Sequence, residues 1–246
     1  MMKSPIIKII ALPFAGGNVY SYRSFELKTP LNYEWITIEL PGRGKRLNQD
    51  FINEFSQQVL DVYNQVVNSI ENTDYIIYGH SMGGLLGYEL AKMLIKNKKR
   101  LPLFLYFTGR NSPSVEFEKK ISNLPMDEFW NEIFLMGGIS DEIMKNEDLK
   151  LFFEPILRSD FRSIENYKYL EDVDKMSLPI FLRIGDQEKI KMIQLKDWQN
   201  ETTIPINIRV LNGNHFFIFN NYQLILDEMV SLTTDKTVLK HVLSPK

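Results

Sequence analysis

The chain contains no cysteine. That single absence excludes disulfides, thiolate metal sites and a cysteine nucleophile, so any covalent catalysis must use oxygen or nitrogen. Histidine is almost as scarce: His80, His215 and His241 are the only three in 246 residues. A strong charge bias is missing too, since the formal net charge is only −2. Without a broad basic field, neither nucleic acid nor an anionic membrane is an expected partner. No apolar run approaches the ~20 residues that a transmembrane helix needs. Ile6, Ile7, Ile9 and Ile10 follow Met1-Met2-Lys3 in the manner of a weak signal peptide, but Lys8 interrupts them. A cytoplasmic protein is expected.

What is present is the makeup of a globular α/β protein, with 44% apolar and 24% charged residues. Short β-branched and aromatic runs at 6–12, 35–40, 75–78, 103–108, 180–184 and 206–211 read as strands. Segments of helical period at 55–70, 84–97, 192–198 and 222–232 alternate with them. In the first of these, Phe55, Val59, Val62, Tyr63, Val66 and Ile70 share one face, which is expected to pack on a sheet. Such alternation predicts a mostly parallel sheet flanked by helices. One domain is expected over 1–246, and as a monomer. The interval of about 111–175 breaks the rhythm with helical patterns at 126–134, 140–145 and 148–159, and is read as a helical lid insertion. The polar end of the chain, from about Thr233, is expected to be poorly ordered.

The sharpest motif is Gly79-His80-Ser81-Met82-Gly83-Gly84, between the strand at 75–78 and the helix that follows. A Gly-x-Ser-x-Gly sequence at a strand-to-helix turn is a nucleophile elbow, which points to the α/β-hydrolase fold with Ser81 as nucleophile. A serine hydroxyl needs a base within hydrogen-bond reach. His80 sits inside the elbow, where its side chain should point away from Ser81, and His241 lies in the tail. His215 is left, on the loop after the last strand, where the base of this fold is found. The acid that orients it belongs after the strand at 180–184, where Gly185-Asp186-Gln187-Glu188 offers Asp186 and Glu188. The physics of the sequence leaves that choice open. An oxyanion hole needs two backbone N–H groups: one from Met82, the other from Pro13-Phe14-Ala15-Gly16-Gly17, through Ala15 or Phe14.

Four segments in this order resemble the type II thioesterases that accompany nonribosomal peptide and polyketide synthases. They are Leu12-Pro13-Phe14-Ala15-Gly16-Gly17, Leu40-Pro41-Gly42-Arg43-Gly44-Lys45-Arg46, the elbow, and Gly213-Asn214-His215-Phe216-Phe217. Within the insertion, Met136-Gly137-Gly138-Ile139 and Pro155-Ile156-Leu157-Arg158-Ser159-Asp160-Phe161 look like the family's lid. The resemblance implies a cofactor-free, metal-free hydrolysis of acyl groups from the phosphopantetheine thiol of an acyl or peptidyl carrier protein. Ser81 would attack, His215 would take its proton, and the Ala15 and Met82 amides would hold the oxyanion. The family's acid is usually an aspartate three residues after a glycine and about ten before a tryptophan. Counting from Gly185 towards Trp198 favours Glu188 over Asp186, a departure from the usual aspartate. Lys92, Lys96, Lys98, Lys99 and Arg100 are a candidate carrier contact. Phe129, Trp130, Ile133, Phe134, Leu151, Phe152 and Phe153 are expected to make the lid's own core and part of an acyl pocket. An esterase or lipase acting on free small esters, a product-releasing thioesterase and a noncatalytic binding module are the competing readings.

Overall fold

The alternating pattern resolves into one parallel sheet. A computed structural model describes residues 6–116, 119–139, 141–171 and 174–235, with Val238. Strands β1 (Ile7–Leu12), β2 (Tyr33–Thr37), β3 (Tyr75–His80), β4 (Leu105–Thr108), β5 (Ile180–Gly185) and β6 (Asn207–Leu211) lie in the order β2-β1-β3-β4-β5-β6, and all five neighbouring pairs are parallel. The helices are α1 (Arg23–Lys28), α2 (Phe55–Val66), α3 (Met82–Lys96), α4 (Met126–Leu135), α5 (Asp141–Met144), α6 (Glu147–Glu165), α7 (Met192–Lys196) and α8 (Tyr222–Leu232).

Side chains alternate across each strand, so the sheet serves two cores. Ile10, Leu12 and Ile77 pack beneath α2 and α3, while Ile9, Ala11, Ile76 and Tyr78 face Phe25 of α1 and Ile225, Leu226 and Met229 of α8. β3, β4 and β5 are buried at every position, as expected of strands covered on both faces.

The strand order also fixes where a site can form. The chain leaves β1 towards β2 on one side and leaves β3 towards β4 on the other, so the loops after β1 and β3 diverge. The crevice between them, beyond the carboxyl ends of the strands, is where ligands bind in sheets of this kind. Pro13 to Gly17 and Ser81 flank it.

Several elements differ from the sequence reading. The second strand runs from Tyr33 to Thr37 rather than over 35–40, because β1 ends at Leu12 and Ile38 N, bonded to Ala11 O at 2.9 Å, is the last amide to find a partner there. Ile38 and Leu40 are buried all the same. α1 has no counterpart in that reading; at six residues it is short and buries only Phe25. α6 begins on Asn146, whose side chain accepts from Leu149 N at 3.1 Å, and continues through Pro155 to Glu165. Among the described residues between β4 and β5 stand α4, α5 and α6 and no named strand. Met1 to Pro5, His241 and most of the polar tail lie outside the described residues.

Candidate active site

Ser81 closes the turn between β3 and α3 with φ 53° and ψ −115°, a left-handed conformation for a non-glycine residue. Such geometry costs on the order of 1–3 kcal/mol and persists only where its surroundings impose it. Here Ser81 N donates to Thr108 O at 2.8 Å, which fastens the turn to β4. The elbow is also too tight for side chains at its glycines: a Cβ on Gly79 would lie 2.2 Å from Gly83 O, and one on Gly83 would lie 2.3 Å from Leu12 O. Met82 begins α3, so its N–H is among the amides a helix leaves unmatched at its N-terminus.

His215 follows β6 and meets the loop after β5. Its Nδ1 lies 2.6 Å from Glu188 Oε1. A carboxylate there accepts the Nδ1 proton and leaves Nε2 with its lone pair. The other Glu188 oxygen accepts from Gly185 N at 2.7 Å, so the longer glutamate side chain curls back over its own turn. Asp186 does different work. Its carboxylate accepts from Gly213 N at 2.8 Å and Asn212 Nδ2 at 3.2 Å, tying the β5 loop to the loop that carries His215.

His80 was expected to point away from Ser81. Its ring is fully buried, 4.8 Å from that of His215 between centroids, with Nδ1 3.0 Å from Thr108 Oγ1. Burial, and then the neighbouring His215 ring, hold its pKa well below the usual 6.5. This imidazole is neutral and packs behind the other one. Phe14, Phe216 and Phe217 complete the aromatic setting.

Ser81, His215, Glu188 and Ala15 line one cavity of about 530 Å³. Ile133, Met136, Phe153, Leu157, Phe161 and Ile164, from the segment between β4 and β5, form its apolar wall. Of the aromatic and aliphatic residues expected in that segment's core, Phe129, Trp130 and Ile133 are buried, whereas Phe134, Leu151 and Phe152 are exposed. Arg110 also lines the cavity, and burial draws its pKa down to about 10, which leaves it charged at neutral pH. Among the described residues no group of three or more histidines and carboxylates is arranged to hold a metal ion, and no helix is long and apolar enough to cross a membrane.

The cluster of basic residues is elsewhere. It stands at the far end of the 15-residue α3, about 22 Å by helical rise from Ser81. Lys99 and Arg100 pair with Glu71 and Asp74, and Lys92 pairs with Glu89.

A family model described as a thioesterase domain matches residues 7–235. The chain belongs to the thioesterase family. Among its relatives is a probable anguibactin biosynthesis thioesterase, AngT of Vibrio anguillarum, 26% identical across 95% of this chain and 99% of its own length. The crystal structure of ClbQ from the colibactin NRPS/PKS pathway superposes with a TM-score of 0.86 at 26% identity, covering 96% of this chain and 98% of ClbQ. YbtT, described as a type II thioesterase from the yersiniabactin NRPS/PKS pathway, shares the fold with a TM-score of 0.83 at 23% identity, covering 98% of this chain and 95% of that one. The expected α/β-hydrolase architecture therefore holds for this thioesterase.

Two residues of the site region acquire a place that the sequence reading did not give them. Arg43 and Asp160 stood only inside quoted motifs, and nothing in their spacing of 117 residues pairs them; the structure joins them in a buried ion pair beside Gly16.

Proposed function

We propose that this thioesterase hydrolyses acyl groups from the phosphopantetheine arm of carrier proteins, as a type II enzyme serving nonribosomal peptide or polyketide synthesis in the cytoplasm. The observation that carries the proposal is the cavity at Ser81, with an apolar wall from the helices between β4 and β5, in a chain of this family. The reading gives each residue one task. Ser81 Oγ attacks the thioester carbonyl while His215 Nε2 takes its proton, and Glu188 holds the imidazole and balances the charge that forms on it. The Ala15 and Met82 amides receive the oxyanion of the tetrahedral intermediate. Collapse breaks the C–S bond, the departing thiolate takes the proton from His215 to leave as the thiol, and an acyl-serine remains. Water, deprotonated by His215, then repeats the sequence and releases the acid.

The segment of about 111–175 acts in this reading as a lid whose apolar wall receives the acyl group. All the proposed groups come from one chain, so a monomer suffices.

The test is kcat/KM for an acyl-phosphopantetheinyl carrier protein against that for the matching free oxygen ester, with fluorophosphonate labelling mapped to Ser81. A strong preference for the carrier thioester is expected. Equal or better use of the free ester would make the enzyme a small-ester hydrolase, and absence of labelling would remove Ser81 from the chemistry.

A further inference from the structure

The turn proposed to supply one oxyanion donor is held from a distance. Gly17 N donates to Phe14 O at 2.8 Å, and Gly16 has φ +79°, as the third residue of a type II turn requires. Gly16 N does not face the cavity free: it donates to Asp160 Oδ2 at 2.8 Å, from α6. With those two amides engaged, the Ala15 N–H is left without a hydrogen bond among the described residues. Leu157, one turn earlier on α6, covers the same turn so closely that a Cβ on Gly16 would lie 2.6 Å from its Cδ2.

Asp160 is in turn gripped by Arg43. Nη1 and Nη2 of the guanidinium donate to Oδ2 and Oδ1 at 2.5 and 2.7 Å, and Nη1 also reaches Gly17 O at 3.4 Å. The two side chains are 3% and 0% exposed. A lone carboxylate one peptide away from a developing oxyanion would oppose it, since charges interact strongly where water is excluded. Arg43 cancels that field and leaves the hydrogen bond to Gly16, so the pair fixes the turn without repelling the intermediate.

We propose that Asp160, neutralised by Arg43, is a positioning residue for the oxyanion hole, and that seating α6 against the turn is what sets the Ala15 N–H in place. The helix that walls the acyl cavity thereby also completes the site, which couples its docking to catalytic competence. This inference rests on the reading of Ala15 and Met82 as the oxyanion donors.

The test uses a p-nitrophenyl ester, so that it does not depend on the carrier substrate, with rates divided by the fraction of enzyme titrated by a fluorophosphonate. For Asp160→Asn the expected result is a kcat per titrated site lower by about ten-fold or more, short of the roughly 10²–10³-fold lost when an oxyanion donor is removed outright, with KM within about three-fold. The acidic limb of the pH–rate profile, which reports the base, stays where it is. Affinity for an acyl trifluoromethyl ketone, whose adduct places an oxyanion in the hole, falls in parallel with kcat/KM. Arg43→Gln, which strands the carboxylate, is expected to lose more activity than Asp160→Asn, and the double variant to recover part of that loss. If Asp160→Asn does not fold, Arg43→Lys, which keeps the charge and gives up the two-pronged grip, gives the same reading. An unchanged kcat per titrated site, or ketone affinity that does not follow kcat/KM, overturns the proposal and leaves the pair a fold-stabilising one. A wild type that cleaves the p-nitrophenyl ester but not the carrier thioester overturns the substrate reading alone.

Discussion

Glu188 Oε1 stands 2.6 Å from His215 Nδ1, while Asp186, two residues earlier on the same loop, bonds Gly213 N and Asn212. Two carboxylates so close in sequence therefore have separable roles. Glu188→Gln is expected to lower kcat for thioester hydrolysis by roughly 10³-fold, because an amide either donates to Nδ1 and fixes the wrong tautomer or loses the charge that stabilises imidazolium. Asp186→Asn is expected to cost less than about ten-fold in kcat and to register mainly as lower stability, by about 1–2 kcal/mol for a weakened bond to the Gly213 amide. Steady-state kinetics paired with thermal denaturation checks both. The reverse ranking in kcat would give the orienting role to Asp186.

Ser81 offers a way to separate strain from chemistry. Both Ser81→Ala and Ser81→Gly are expected to abolish hydrolysis and fluorophosphonate labelling. Only glycine, however, has no Cβ to resist φ 53°. The glycine variant is expected to exceed the alanine variant by about 1 kcal/mol, or a Tm difference of about 2–4 °C for a chain of this size. An alanine variant as stable as the glycine one would mean that the elbow is unstrained.

The fold was legible because its signals are local. A buried strand, a glycine-flanked serine and an amphipathic helix sit next to each other at 75–97, and the period of the apolar residues carries the rest of the sheet. Edges were less legible, since the end of β2 depends on where its neighbour β1 stops. The reach of α6 was understated at its C-terminal end: the sequence pattern stops at 159, whereas the helix runs on to Glu165 and buries Asp160, Ser163 and Glu165, polar residues that do not register as an apolar face. The site divides in the same way. Ser81 and His215 stand out by motif and by the scarcity of histidine, whereas the choice between Glu188 and Asp186 stayed open to the residues themselves and only the resemblance to the type II thioesterases favoured Glu188. Nothing local joins Asp160 to Arg43 and Gly16, or sets the His80 ring against His215, because those contacts exist only once distant loops converge on the sheet.

The buried His80 has a pH signature. Desolvation, and then His215, depress its folded-state pKa, whereas in the unfolded chain it titrates near 6.5. Between those two values the unfolded state binds more protons than the folded one. Stability is therefore fully present above about pH 6.5 and falls as the pH drops, by up to about 1.4 kcal/mol per pH unit from this group. Lowering the pH from 7.5 through 6.5 and below is therefore expected to lower Tm. His80→Asn removes the titration, so its Tm is expected to decline correspondingly less over that interval, even if it starts lower. Parallel Tm–pH curves for the two proteins would mean that His80 accepts a proton in the folded state.

Gly138 connects the segment between β4 and β5 to the loop that carries His215. A Cβ there would lie 2.1 Å from Phe216 Cε2, so even alanine must displace the ring. Phe216 has little freedom to yield: it meets Phe14, His80 and His215 at 5.2, 5.3 and 5.2 Å between centroids, and stacks on Phe219 at an interplanar angle of 7°. Gly138→Ala is therefore expected to disturb the His215 loop and lower kcat by about ten-fold, since displacements of an ångström at a catalytic base have effects of that order or larger. If the cause is steric, a smaller partner relieves it. Phe216→Leu combined with Gly138→Ala is expected to be more active than the product of the two single effects predicts, a coupling that a double-mutant cycle measures. Independent effects would instead mean that the segment adjusts to the extra methyl group by moving away from Phe216.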